Sequence, residues 1–339
     1  MAKGRCGAVV DLKGIIGREQ IKKQLEHVIE TGNVGHAYMF SGEKGSGKKK
    51  LADTWAMALQ CTGEDKPCGE CHSCRQAKGG NHPDIIYVTH EKPNSIGVED
   101  VREQLVGDIQ IRPYSSRYKI YIIPDAEKMT VQAQNAILKT IEEPPEYAVI
   151  ILLTTNEQHF LDTIRSRCVT VKMKPVPDHK VKDYLMENMQ IPDYQADICV
   201  AFAQGNIGKA IRLASSEDFN TIKASAMHLI RHAGTMEISD IIDAVKGIQE
   251  FKISIQDYLD ILALWYRDMV YFKATRDMNA VIFKDQIRNI REAVNICSYE
   301  GVEEVMNAIE QAKMRLDANV NFDLTMELLF LVIKENMHD

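Results

Sequence analysis

The first residues able to do chemistry are Ser41–Lys50, "SGEKGSGKKK". Gly42, Gly47 and Lys48 fit the phosphate-loop spacing G-x-x-x-x-G-K-S/T, with Gly45 inside the loop. In such a loop, backbone N–H groups ahead of a helix N-terminus surround phosphate oxygens. The lysine reaches the terminal phosphates, and a following hydroxyl helps to hold Mg²⁺. Here that hydroxyl position is Lys49, whose ammonium adds positive charge but cannot ligate a metal. The alternative is a glycine-rich strand-to-helix turn that keeps only the shape of a phosphate loop.

Cys61, Cys68, Cys71 and Cys74 form a C-x₆-C-x₂-C-x₂-C run, half of the eight cysteines of the chain. Short C-x₂-C knuckles let successive turns offer sulfur to one ion, and four thiolates with no open position describe a structural Zn²⁺ site. An iron–sulfur cluster uses the same ligands. His72 is superfluous beside four sulfurs, and His82 reads as a loop residue. Cys6, Cys168, Cys199 and Cys297 are scattered, as ordinary thiols are.

A hydrolysing phosphate-loop protein places Asp then Glu directly after an apolar strand, one for the metal and one for the attacking water. After "YKIYII" those two places hold Pro124 and Asp125, with Glu127 two residues on. Either a shifted register brings Asp125 to the metal, or Asp125 and Glu127 open the next helix, where acidic groups favour the dipole. In "TIRSRC", Arg165 and Arg167 flank Ser166. Such a guanidinium can serve a neighbouring subunit's γ-phosphate as an arginine finger, or be a solvated charge.

The elements that must carry these residues are legible from periodicity. Ile21, Leu25, Val28 and Ile29 mark a helix within 15–30, and "HAYMFSG" a strand feeding the glycine loop. "KKKLADTWAMALQ" follows with Leu51, Trp55, Ala58 and Leu59 on one helical face, so the loop has the strand and helix it requires. Further strands are expected at 84–89, 118–123, 148–155 and 169–173, apolar enough for a parallel sheet buried on both faces. Helical patterns lie between them at "VEDVREQLVGDIQ" and "VQAQNAILKTIEE", the second stopping at Pro144-Pro145. Beyond "PVPD" no strand pattern appears. The expected order is an α/β phosphate-loop domain (1–174) with a cysteine module (61–74), a small helical domain (175–235) and a larger helical domain (236–339).

At 339 residues the chain exceeds one ordinary core, and 45% hydrophobic with 26% charged residues is a soluble composition. No long apolar run suggests a membrane span, and "MAKGRCGAVVDLKG" has no secretory apolar region, so a cytoplasmic location is expected. A net charge of −7 argues against wrapping nucleic acid with the whole surface and leaves room only for a local basic patch. "RPYSSRYK" (112–119) is the nearest candidate for one, and it also reads as a loop entering a strand.

Taken in order, "GEKGSGKKK", the cysteine run, "YKIYII", "NAILKTIEEPP", "LLTTN" and "TIRSRC" resemble the bacterial DNA polymerase III clamp-loader AAA+ ATPases over about residues 12–215. The resemblance implies an AAA+ core, a helical lid and a C-terminal collar that joins a hetero-oligomer. Its motor branch, gamma/tau, ends the phosphate loop in Lys-Thr and follows the strand with Asp-Glu. The departures at Lys49 and Pro124-Asp125 place this chain with the family's non-hydrolysing stator branch. What the resemblance implies is then a subunit that gives Arg167 to the ATP site of an adjacent gamma/tau subunit. Thr155 falls at the sensor 1 position, and Lys209 near sensor 2, where the motor has Arg. Implied partners are the gamma/tau and delta subunits and, through the complex, the sliding clamp and primer–template DNA. Two other functions stand beside this one: an ATP-hydrolysing motor with Asp125 recruited to the metal, and a zinc-knuckle nucleic-acid-binding protein on an inert scaffold.

Overall fold

The computed structural model describes residues 15–250, 255–278, 281–318 and 320–337. Cys6 and the N-terminal stretch read for a leader lie outside the described residues. The chain divides into two compact units, one formed by residues up to Val181 together with Gly205–Lys209, the other by Lys182–Gln204 and the residues from Ala210 on.

The first unit is an α/β sandwich. Its chain order is α1 (Glu19–Thr31), β1 (Ala37–Ser41), α2 (Lys48–Gln60), α3 (His72–Lys78), β2 (Ile85–Tyr87), α4 (Val98–Val101), β3 (Lys119–Ile123), α5 (Val131–Glu142), β4 (Ala148–Thr154), α6 (Asp162–Arg165) and β5 (Val169–Lys172). The five strands form one parallel sheet in the order β2-β3-β4-β1-β5. Central β1, β3 and β4 are buried on both faces, because helices cover each side. One face packs on Leu51 and Trp55 of α2, the other on Ala133 and Ile137 of α5. The edge strands do not share that burial: in β5 only Val171 is buried, since its outer side has no neighbour. All five strands stand where periodicity placed them. The helix expected across 98–110 does not run through; α4 makes one turn and passes into a π-helical stretch, Arg102–Val106, that keeps Leu105 in the core.

Among its described residues the second unit has helices and no strand. It includes α8 (Asp193–Ala203), α10 (Glu217–His232), α11 (Ile238–Ile248), α12 (Ile255–Thr275), α13 (Ile287–Ile296), α14 (Tyr299–Asp317) and α15 (Phe322–Asn336). Helices α7 (Asp178–Met189) and α9 (Ile207–Ser215) begin with residues of the first unit and end with residues of the second. Trp265, Tyr266 and Phe272 of α12 are buried, while Tyr271 faces outward. Asp268, also buried, accepts the backbone N–H groups of Ile282 and Phe283 and so fixes the segment leading to α13. Among the described residues no helix is long and apolar enough to cross a membrane.

Candidate functional site

Parallel order places the ends of β1, β3 and β4 on one edge of the sheet, where an open α/β sheet offers its crevice. A cleft of about 480 Å³ lies there, lined by Gly45, Gly47, Lys48 and Lys49 of the loop, Pro124, Asp125 and Glu127 after β3, and Thr155 after β4. The residues expected to handle phosphate are therefore together. Gly45 and Gly47 have φ of 84° and 90°, a left-handed backbone that favours glycine, and Gly47 caps α2. Gly42 donates its N–H to Thr154 O at 3.0 Å and ties the loop to β4.

The Lys48 ammonium is folded back onto the loop, 2.5 Å from Gly42 O and 2.9 Å from Glu43 O. Burial lowers its pKa, while the carboxylates of Glu127 and Asp125 oppose that shift. The set fits a phosphate, and the carboxylates of Asp125 and Glu127 also line the cleft, but Lys49 and Pro124 offer no side-chain oxygen to Mg²⁺. Lys49 occupies the hydroxyl position, and its Nζ lies 5.6 Å from the centre of the Tyr87 ring. Pro124 occupies the strand-end carboxylate position and has no side-chain donor. The β3–β4 register runs regularly from Lys119↔Ala148 to Ile123↔Leu152, and the exposed Asp125 carboxylate pairs with Lys128 at 3.1 Å. Asp125 precedes a short 3-10 turn, Ala126–Lys128, without a side-chain cap bond to it. Glu127 on that turn accepts the Thr155 hydroxyl at 2.7 Å, and its other oxygen is buried without a partner.

Three residues that the sequence did not single out hold the loop. Arg18, in the left-handed region at φ 60°, donates Nη1 to Ser46 O at 2.5 Å and Nε to Lys174 O at 3.1 Å. From the other side, Asn206 donates to Lys44 O at 2.8 Å, and Gly208 N–H donates to Gly45 O at 2.9 Å. A Cβ on Gly208 would run into the carbonyl of Gly45, so only glycine permits this approach. Lys209 enters the clasp through its backbone, donating N–H to Asn206 Oδ1. "QGNIG" reads as a turn in the sequence because nothing local reveals a bond spanning some 160 residues.

The four cysteines converge. Their sulfurs all lie within 4.8 Å of one another, with Cys61–Cys71 at 4.0 Å and Cys68–Cys74 at 3.9 Å. A tetrahedral ion with metal–sulfur bonds of about 2.3 Å separates its sulfurs by about 3.8 Å, so the set fits a single Zn²⁺-sized ion. Backbone N–H groups of Gly63 and Cys68 point at Cys61 Sγ, and those of Cys71 and Cys74 at the sulfurs of Cys68 and Cys71. Burial works against the Cys71 thiolate, but N–H groups of Thr62 and Cys74 outweigh it and bring the thiol down to about 5. Burial pushes Cys74 the opposite way. Sulfurs this close cannot all ionise without a cation, and a dication resolves the conflict.

His82 is not among the converging ligands. It is buried, with Nε2 at 2.9 Å from Ser73 Oγ on α3 and 3.2 Å from Ser116 Oγ. Its Nδ1 accepts the Asp84 N–H at 3.1 Å, so the ring is neutral with its proton on Nε2. Asp84 in turn accepts the N–H groups of Tyr114 and Ser115. Together they pin the 112–117 loop to the cysteine module.

Arg167 lies apart from the cleft. Short α6 ends at Arg165 with Ser166 as its C-cap, and the N–H groups of Arg167 and Cys168 return to Ile164 O. The Arg167 side chain is 42% exposed; Nη2 stands 3.0 Å from Glu142 Oε1, and Nη1 donates to Thr163 O at 3.1 Å. Arg165 is paired with Asp162. Cys168 turns inward, and burial raises its thiol to about 12.

Comparison with known proteins identifies similar chains. A family model described as "DNA polymerase III, delta subunit" matches residues 17–177, and one for its C-terminal part matches residues 233–335. The Bacillus subtilis DNA polymerase III subunit delta′ is 29% identical over 330 residues, covering 93% of this chain and 96% of that protein. The tau subunit of the same organism is 27% identical, over 80% of this chain and 52% of tau. Among solved structures, a DNA polymerase III gamma-subunit-related protein of Thermotoga maritima is 19% identical, with a TM-score of 0.45, over 93% of this chain and 100% of that one. With two successive family models and a delta-prime relative matched almost end to end, the chain belongs to the DNA polymerase III delta-subunit family of clamp-loader proteins, as a homologue of the delta-prime subunit.

Proposed function

We propose that this chain is the stator of a cytoplasmic DNA polymerase III clamp loader: it hydrolyses no ATP itself and supplies Arg167 to the ATP site of an adjacent gamma/tau subunit. The observation that carries this is the pairing of a cleft without two expected Mg²⁺-ligand positions with an accessible arginine. Lys49 and Pro124 stand where Mg²⁺ would need oxygen, whereas Arg167 presents a half-exposed guanidinium on the opposite motif. An arginine finger is worth about 10³–10⁵ in rate at the site it serves. The division into core (1–174), lid (175–235) and collar (236–339), the Zn²⁺ at the four cysteines and Thr155 as the sensor 1 residue belong to the same proposal. So does assembly with gamma/tau and delta, which would place a sliding clamp on primed DNA.

The test is reconstitution with the cognate gamma/tau and delta subunits, followed by DNA- and clamp-stimulated ATP hydrolysis for Arg167→Ala and Lys48→Ala. A rate lost with Arg167→Ala and kept with Lys48→Ala is the expected result. The reverse pattern would make the chain a motor. Glu127, held by Thr155 inside the cleft, is the group that would then act on water.

A further inference from the structure

The two motifs that meet at Arg167 come from α5 and from the segment after β4. Helix α5 grips that segment at both ends. Near its start, buried Gln134 donates to His159 O at 3.2 Å and accepts Leu161 N–H at 2.9 Å, fixing the main chain that enters α6. At its last residue, Glu142 faces the Arg167 guanidinium at 3.0 Å. Thr163 O and Ser166 Oγ take up Nη1 from the side. A long, flexible side chain is thereby held in one direction before any partner arrives.

The geometry points to Glu142 as the positioning residue of the arginine finger. This rests on the role proposed above for Arg167. An ion pair 42–43% exposed on both sides contributes little to folding, so its consequence lies in orientation. Glu142 sits on the rigid end of a helix whose Ile137 and Ile141 are in the core, and it transmits that rigidity to a group on a loop. An oriented guanidinium loses less freedom when a phosphate binds, and the benefit falls on the transition state, where charge develops. Polyphosphate carries more charge than one carboxylate, so Glu142 orients the finger without retaining it.

The test uses the reconstituted complex with Glu142→Gln, Glu142→Asp, Arg167→Ala and the double variant Glu142→Gln/Arg167→Ala. Glu142→Gln is expected to lower kcat for stimulated ATP hydrolysis by roughly 3–10-fold with KM for ATP unchanged, the signature of an interaction made in the transition state. Glu142→Asp should recover part of the loss. In the Arg167→Ala background Glu142→Gln should change nothing further, because it acts only through the arginine. Melting temperatures identify any variant that fails to fold, in which case the Asp variant carries the comparison. An equal fall from Glu142→Gln in both backgrounds would make Glu142 merely structural, and a rise would make it a brake; either overturns the inference while leaving the finger intact. No effect of Arg167→Ala would overturn both.

Discussion

Replacing His82 by Ala removes three polar contacts at one buried point: Ser73 Oγ at 2.9 Å, Ser116 Oγ at 3.2 Å and the Asp84 N–H at 3.1 Å. At about 1 kcal/mol net for each hydrogen bond, and with a cavity left behind, the cost is about 2–4 kcal/mol. In a unit of this size each kcal/mol moves the melting point by about 2–4 °C, so a fall of about 4–16 °C is expected. His82→Asn, which retains an acceptor near the Nδ1 position, should cost less. Urea or thermal unfolding followed through Trp55, which is buried in the same unit, reads the loss. Hydrogen exchange should rise in 72–82 and 112–117 and stay unchanged in β4. Bound metal should remain at full stoichiometry, since His82 is not a ligand. The pH dependence has a definite sign. Burial lowers the His82 pKa, with the Asp84 carboxylate opposing, so the unfolded chain binds the proton more readily. Stability is then fully present above about pH 6.5 and is lost as pH falls toward the folded pKa. A His82→Ala protein that melts within a degree of the parent, or one that loses its metal, would refute the reasoning.

The remaining expectations are local. The purified chain should carry one Zn²⁺ bound by four sulfurs, lost on Cys68→Ser or Cys71→Ser and measurable by elemental analysis; a multi-iron cluster with inorganic sulfide in its place would contradict the single-ion geometry. Gly208→Ala, in a helix where alanine ordinarily stabilises, should instead destabilise by about 1–3 kcal/mol, because the new methyl strikes the Gly45 carbonyl and opens the clasp. An unchanged or higher denaturation midpoint would show that the contact yields freely. Lys49→Thr restores the phosphate-loop hydroxyl yet should give the isolated chain no Mg²⁺-dependent ATP hydrolysis, since Pro124 still withholds the second ligand; turnover above background would overturn that account.

Much of this was visible before any coordinates. The five strands announce themselves because a doubly covered parallel sheet needs unbroken apolar runs, and β1, β3 and β4 have them. The cysteine set was legible because metal-ligand spacing is local. What escaped detection depends on partners far apart in sequence. Nothing near Gly208 or Asn206 indicates that they meet residues 44 and 45, and nothing in "TIEEPP" indicates that Glu142 meets Arg167. Arg18 lies in an ordinary helix-start pattern, and only the fold shows it reaching Ser46. The π-helical stretch after α4 escaped for another reason: Val98, Val101, Leu105 and Ile109 keep the three- and four-residue spacing of a regular helix, and Leu105 is buried.

The clasp over the phosphate loop has a consequence for how the protein is made. The chain leaves the first unit after Val181 and returns to it for Gly205–Lys209 alone. A ribosome working from the N-terminus therefore completes all five strands while the loop at Gly45 still lacks Asn206 and Gly208. The nascent sheet can form early, but its phosphate loop remains without that support until translation has passed residue 209 and those residues have left the exit tunnel. Fragments that stop at the apparent end of the α/β domain would reproduce the nascent intermediate rather than the finished one.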